Sequence, residues 1–341
     1  MLIVREITQS DAAKWNNFVQ FHKESDYSHL YEWKNIFEKS YSLKTLYLGV
    51  YNNEELQAVL PMVIIKYPFL GKKAFSLPYL NYCGLIKTEL SREDILLNKV
   101  LSYIKRFNLK SLELRKLDRL SLRTMGLCTL KLSLPNESTA LWDGLKPKVR
   151  NQIRKAQKYG FSVKWGVEQI DQFFNIYSRN MHELGTPVHS KSFFTMIIKE
   201  LGNSADILTI YKDKLAVASM FLIKYRRSLS DPWASSLKEY LQYCPNMLMY
   251  WEALKWGTEN GFEEFDFGRS DYGSGTFKFK TQWGCSPVNL DYIVVPNLTD
   301  IKKPITSLYK NNKMKYLISI WRILPIPVAN WLGPKLRKYV P

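Results

Sequence analysis

The sequence predicts an α/β chain of two units, each a central mixed sheet flanked by helices, followed by a basic amphipathic C-terminal segment. Three observations predict it. At 341 residues the chain exceeds one comfortable hydrophobic core, so two are expected. Helical apolar spacing alternates with strand-like runs along the chain. The order helix, helix, strand, strand also occurs twice, as a repeat of element order without visible identity between the halves. The expected boundaries are 1–140, 141–296 and 297–341. Apolar and charged fractions of 46% and 23% are ordinary for a folded protein and argue against wholesale disorder.

In the first unit, Asp11 to His22 opens on a cap signal and carries Trp15, Phe18 and Val19 as a helical stripe. Tyr27 to Ser40 is aromatic-rich, with Trp33 and Phe37 one helical turn apart. Leu43 to Tyr51 and Leu56 to Ile65 read as strands joined by a hairpin at residues 52–55. Phe69 to Gly84 is a loop-and-strand segment rich in aromatics. Ser91 to Phe107 starts with an acidic first turn and presents Ile95, Val100, Leu101 and Ile104 as a core face. Ser111 to Leu114 and Thr129 to Leu134 close the unit as strands, and residues 135–145 read as a polar linker.

The second unit opens on a basic helix. Val149, Ile153 and Ala156 form a narrow apolar stripe, flanked by Arg150, Arg154 and Lys158 on one side and Lys148 and Lys155 on the other. Gly160 stops the helix, and Phe161 to Trp165 follows as a strand. Helices are expected at Gln169 to Leu184 and Lys191 to Leu201, and strands at Ala205 to Tyr211, Leu215 to Tyr225 and near Ser228 to Ser235. A helix from Pro245 runs to Asn260, where Gly261 ends it. A buried strand around Asp266 then leads into a glycine-bearing loop, an aromatic-lysine segment and a last strand, Asn289 to Val295.

The net charge of +18 is localised. Residues 144–167 hold seven basic side chains and no acid, and residues 301–341 hold nine and no acid, so these two segments carry all but two of the net positive charges. Two anion-facing segments are expected, not a uniformly basic coat. Four well-separated cysteines and four scattered histidines give no zinc signature, so no metal is expected. The N-terminus lacks the apolar core of a secretory signal, and the longest apolar run, Leu317 to Leu332, is broken by Arg322, Pro325 and Pro327. A cytoplasmic protein is the expectation.

Several blocks carry a family resemblance. They are Gly261-Phe-Glu-Glu-Phe-Asp-Phe-Gly-Arg-Ser, Gly275-Thr-Phe-Lys-Phe-Lys-Thr-Gln-Trp-Gly, the basic stretch from Leu145 to Gly160, Met181-His-Glu-Leu-Gly-Thr-Pro-Val-His-Ser, and Pro245-Asn-Met-Leu-Met-Tyr-Trp. Together they resemble the Fem-type (FemAB-related) branch of the GNAT acyltransferase superfamily. Within it they are similar to the subgroup found with exopolysaccharide and exosortase (PEP-CTERM) systems. Residues 27–86 and Trp321 to Pro334 fit that subgroup too, so the resemblance spans nearly the whole chain.

The resemblance implies two tandem GNAT-like domains and an enzyme that transfers an aminoacyl or acyl group to an amine of an envelope or exopolysaccharide precursor. It implies a catalytic Phe279-Lys280 pair, with the Lys280 ammonium stabilising the developing oxyanion; Lys278 is the nearest competitor. His182 or His189 could act as general base, or neither if orientation and desolvation suffice. Asp266 either orients a neighbouring group or is a strand-end carboxylate bonded to backbone. Arg269, Asp271, Tyr272 and Trp283 complete the candidate substrate contacts. The loop from Arg269 to Gly275 resembles a pyrophosphate cradle with one residue too many, and residues 239–245, where the family order expects that cradle, have no glycine. Phosphate is therefore assigned to the basic helix, through Lys148, Arg150, Arg154 and Lys155.

No tightly bound cofactor is expected; the donor is aminoacyl-tRNA or acyl-CoA. The acceptor is a lipid-linked or nucleotide-linked sugar, with a tRNA acceptor stem as a further partner and no sequence-specific DNA binding. Residues 301–341, with lysines among tryptophans, imply contact with an anionic membrane surface, peripheral to the inner face of the cytoplasmic membrane. Two other functions are compatible: a CoA-dependent N-acyltransferase on an amino sugar or amino acid, and a non-catalytic binding protein of the same polysaccharide machinery.

Overall fold

The protein is described from a computed structural model, which covers residues 2–89, 91–118, 126–296 and 312–341. By contacts the chain divides into a first unit of Met1–Ser121, Leu290–Ser307 and Lys338–Pro341, and a second of Leu122–Asn289 and Leu308–Arg337.

The first unit contains β1 (Leu2–Glu6), α1 (Ala12–Phe21), α2 (Glu32–Tyr41), β2 (Lys44–Asn52), β3 (Glu55–Tyr67), β4 (Gly71–Phe75), β5 (Ile86–Lys87), α3 (Glu93–Ile104) and β6 (Leu109–Asp118). Its strands run in the order β1-β2-β3-β4-β6, with β5 also on β3. All pairs are antiparallel except β4 with β6. One face of this sheet packs Leu46, Leu48, Val50, Leu60 and Met62 against Leu97, Val100, Leu101 and Ile104 of α3; Ile95, read from the sequence as part of that helix's core face, is instead exposed. Trp15 and Trp33 are fully buried, and each donates its indole N–H to a backbone carbonyl, of His29 and Tyr27 respectively.

The second unit contains β7 (Leu127–Ser133), α4 (Ser138–Gly144), α5 (Pro147–Lys158), β8 (Phe161–Trp165), α6 (Ile170–Leu184), α7 (Lys191–Leu201), β9 (Ala205–Lys212), β10 (Leu215–Tyr225), β11 (Ser228–Ser236), α8 (Pro245–Glu259), β12 (Glu264–Asp271), α9 (Gly275–Thr281), the first part of β13 (Ser286–Pro296), α10 (Asn312–Ile323) and α11 (Ile326–Arg337). Strand order is β13-β7-β12-β11-β10-β9-β8, antiparallel throughout except β11 with β12. The strand at Thr129–Leu134, read from sequence with the first half, pairs here with β12 and β13.

Residues 135–145, read as a linker, contain α4. Its Leu141 is buried, and its Trp142 ring meets Trp251 of α8 edge-on at 4.8 Å. The stripe on α5 behaves as its spacing requires, with Val149, Ile153 and Ala156 buried in the core that α8 dominates. Apolar on nearly every side, α8 is buried on nearly every side.

Of the C-terminal segment, residues 297–311 lie outside the described residues. The rest forms α10 and α11, which pack on α6. Gly333 lies so close to residue 188 that an added Cβ would stand 2.8 Å from the Val188 side chain and 3.0 Å from its backbone nitrogen. Trp321 and Ala329 are buried, while Ile323 and Trp331 face solvent. Among the described residues no helix is long and apolar enough to cross a membrane.

Candidate active site

The site of the second unit begins with a break in its sheet. The parallel strands β11 and β12 pair only from Ser228–Ser230 to Glu264–Asp266. Beyond that, β11 continues against β10 and β12 against β7, so the two part at their carboxyl ends. Both partings have local causes. On β11, Asp231 and Pro232 together oppose the single residue Leu222, a bulge at which proline cannot donate a ladder bond. On β12 the register slips between Asp266 and Arg269, where Gly268 takes φ +74°, a conformation that only glycine adopts without strain. A crevice outside the carboxyl ends of parallel strands is where α/β folds bind ligands.

Four groups converge there. Asp231 is 4% exposed; burial pushes its carboxyl from 3.8 up to about 8, with the Lys280 ammonium and a hydrogen bond from Tyr250 pulling the other way and Asp266 adding to the rise. Tyr250, on α8, keeps its proton because burial and the adjoining Asp231 both raise it well above the ordinary phenol. Lys280, near the end of α9, donates from Nζ to the carbonyl oxygens of Gly268 and Arg269, each at 3.1 Å. Burial lowers its ammonium, opposed by Asp231 and Asp266. An ammonium has three donors, and these carbonyls use two. Ser274 caps α9 by accepting from the Phe277 N–H, which fixes the turn that delivers Lys280.

Asp266 is buried and already engaged. Its Oδ1 accepts from the Thr129 hydroxyl and, at 2.8 Å, from the Gly268 N–H, and Lys131 Nζ stands 3.9 Å from its Oδ2. It therefore fixes the β12 bulge and adds negative charge beside Lys280. Around the parting, Ser230 Oγ, Asp231 Oδ2, Ser270 Oγ and Trp283 Nε1 are buried with no hydrogen-bond partner, polar atoms that a ligand or water in the crevice would satisfy. Burial pushes the Cys128 thiol up to about 11 and that of Cys285 to about 12, so neither is a thiolate nucleophile.

Alongside, a cleft of about 410 Å³ opens at the N-terminus of the fifteen-residue α8. Lys148, Gln152, Asn246, Lys278, Phe279 and Gln282 are among its walls, and no acid lines it. Two lysines at the positive end of a helix dipole have the charge that would suit an anion. Phe279 links cleft and crevice: it lines the former, and its ring lies 5.3 Å from that of Tyr250.

The residues singled out in the sequence are thus partly brought together. Phe279, Lys280, Lys278, Asp266 and Lys148 meet at crevice and cleft. Arg269 contributes its carbonyl to Lys280, and its side chain is exposed. Trp283 is buried, its ring 6.0 Å from that of Tyr250. Asp271 is exposed, and its carbonyl accepts from the Ser274 N–H. The Tyr272 hydroxyl donates to Asn289 at 2.9 Å. Arg150 and Arg154 point elsewhere, to Asp143 at 3.9 Å and over the Trp142 ring at 5.2 Å. Lys155 is exposed and lies outside the cleft lining.

The two histidines are engaged elsewhere. His182 sits in the last turn of α6, not in a loop, with Nε2 2.8 Å from the Leu324 carbonyl. His189 is buried among Phe193, Phe194 and Trp233 and accepts from Arg337 Nε at 3.1 Å. Burial, with Arg337 beside it, drives its pKa well below the ordinary imidazole value. Asp231 and Tyr250 were missed, although a proline directly after an aspartate inside a strand-like run signals a bulge.

Residues 145–281 match the family described as acetyltransferase (GNAT) domain. No match to a curated protein is found. The fold is similar to the crystal structure of FemX, with 15% identity, a TM-score of 0.66 and coverage of 84% of this chain and 95% of that one. It is similar to a tandem GNAT protein from the clavulanic acid biosynthesis pathway, with 9% identity, a TM-score of 0.56 and coverage of 87% and 99%. It is also similar to L-PGS from Bacillus licheniformis, with 12% identity, a TM-score of 0.52 and coverage of 94% and 98%. Lys148, Asp231, Tyr250, Asp266, Lys278 and Lys280 thus lie within the region that matches a GNAT acetyltransferase domain, which supports an acyltransferase, on a fold similar to that of FemX.

Proposed function

We propose that the chain forms an amide by moving an aminoacyl or acyl group from an activated donor to an amine of an envelope or exopolysaccharide precursor. One observation carries this reading: a buried carboxyl poised near pH 8 beside a half-buried ammonium, where two parallel strands part. An amine arrives as an ammonium and must lose a proton before it attacks. The Asp231 carboxylate accepts that proton, oriented by Tyr250. As the carbon–nitrogen bond forms, the carbonyl oxygen becomes an oxyanion, and the third N–H of Lys280 stabilises it. Collapse breaks the carbon–oxygen bond of an aminoacyl ester, or the carbon–sulfur bond of a thioester. The second amine proton leaves with the departing alkoxide or thiolate.

The cleft at the α8 N-terminus would hold the donor's phosphates, through Lys148 and Lys278. A diphosphate in that position favours the second reading, a CoA-dependent N-acyltransferase on an amino sugar or amino acid; aminoacyl-tRNA places its terminal phosphates on the same lysines. A putative lysylphosphatidylglycerol synthetase domain among the structural neighbours is the reason to consider a lipid-linked acceptor. The solvent-facing Ile323 and Trp331 of the C-terminal helices support membrane contact through residues 301–341.

Transfer of a radiolabelled acyl group from aminoacyl-tRNA, and separately from acyl-CoA, to amine acceptors distinguishes the donors. With the active donor, Lys148→Glu combined with Lys278→Glu is expected to raise the donor KM about tenfold or more while kcat changes little, as loss of ground-state phosphate binding requires. Failure of both donors to give product would sink the transferase proposal, and an unchanged KM would remove the phosphate from this cleft.

A further inference from the structure

The first unit carries a cavity of about 410 Å³ that the acyl-transfer chemistry leaves unused. Lys44, Lys66, Lys72 and Lys338 border it, and Phe107 and Tyr339 supply aromatic wall. Lys66 and Lys72 are direct cross-strand partners on the β3–β4 hairpin. Like charges opposed in this way destabilise a ladder, and an anion between them reverses the sign. Lys44 is in register with Ile64, two residues before Lys66, so the period of the strand puts all three lysines on one face. None of the four lysines has an ion-pair partner among the described residues. The Lys44 ammonium lies 5.0 Å over the Phe107 ring and that of Lys338 4.9 Å over the Tyr339 ring.

Beyond these lysines the hairpin ends in a three-residue loop, Pro68, Phe69 and Leu70, closed by the Leu70 N–H on the Pro68 carbonyl at 2.8 Å. Phe69 is fully exposed in the left-handed region at φ 61°, and Leu70 is 64% exposed. A lone exposed apolar residue needs no explanation. Two large ones at a hairpin tip, beside a cavity edged by lysines, do. Cations that reach phosphate, under an apolar tip that reaches past it, match the layering of an anionic bilayer surface. A protein partner would need acidic groups to match the lysines and a pocket to match the tip, and a bilayer offers both at once.

We propose that the β3–β4 hairpin is a membrane-docking element in its own right, with the lysine-edged cavity receiving the phosphate headgroup of an anionic phospholipid and Phe69 and Leu70 entering the acyl layer. This element is distinct from the C-terminal helices.

Co-sedimentation of the full chain with phosphatidylcholine vesicles, with and without about one-third phosphatidylglycerol, tests it. Binding is expected only with the anionic lipid and is expected to weaken with salt. Reversing two lysines, in Lys66→Glu with Lys72→Glu, is expected to lower partition about tenfold or more, and Phe69→Ser with Leu70→Ser by a comparable factor. Retained thermal stability shows that these surface changes leave the fold intact. Trp331→Ser reads the tail separately: a loss of binding there with none in either hairpin variant assigns docking to the tail and overturns the proposal. It is equally overturned if the full chain ignores anionic vesicles, or if the cavity binds soluble glycerol phosphate while both hairpin variants keep wild-type partition.

Discussion

Lys280→Met is expected to lower kcat by about a hundredfold to a thousandfold, the usual cost of removing one preorganised donor from an oxyanion. The loss should fall on kcat and kcat/KM together with donor KM little changed, because the third N–H of this ammonium meets a full negative charge only in the transition state. Lys280 also holds two carbonyls of β12, so the variant should melt somewhat earlier. The two roles separate in the kinetics: a brace alone would degrade KM and stability together, whereas an electrostatic role leaves a folded, substrate-binding but slow enzyme. A Lys280→Met protein with wild-type kcat would eliminate the ammonium from the chemistry.

The second large effect concerns pH. Transfer should rise with pH through an apparent pKa of about 8, the value to which burial drives Asp231, because the proposed mechanism makes the carboxylate the proton acceptor. In Asp231→Asn the rate should fall by roughly a hundredfold to ten-thousandfold and lose that inflection. Stability moves the opposite way. The folded chain holds a proton that the unfolded chain releases near 3.8, so this group's contribution is fully present below that value. It is lost as pH rises to about 8. The asparagine variant lacks that decline, and melting curves at pH 5 and pH 9 should show it gaining on the wild type at the higher pH. An unchanged pH–rate profile in Asp231→Asn would assign the proton to another group.

How much of this was legible in the sequence depends on how local the information is. The α5 stripe, the limits of α7 and β10, and the glycine stop after α8 are written in spacings of a few residues, and the structure has them where the spacings put them. By contrast α4 was read as linker, since only Leu141 and Trp142 mark its apolar face within a polar stretch. Phe279 and Lys280 were reached through a family resemblance, not through spacing. Asp231 could not be found that way, because its rise comes from burial under packing distant in sequence, with Asp266, 35 positions along the chain, adding to it. The basic helix shows the same limit: its charges were legible, but which of them face a cleft is set by where α8 and α9 end. Of the four basic residues assigned to phosphate, Lys148 alone lines it.

The unusual start of α8 also has a practical side. Cys83, Cys128 and Cys285 are all buried, and Cys244 alone is partly open to solvent. It holds φ 63° immediately before Pro245 and lines the cleft with Lys148 and Lys278. The molecule thus carries a single addressable cysteine thiol at the cleft proposed to hold the donor, with no engineered label required. Its alkylation rate reports occupancy of that cleft directly, so donors can be ranked by protection before any acceptor is known.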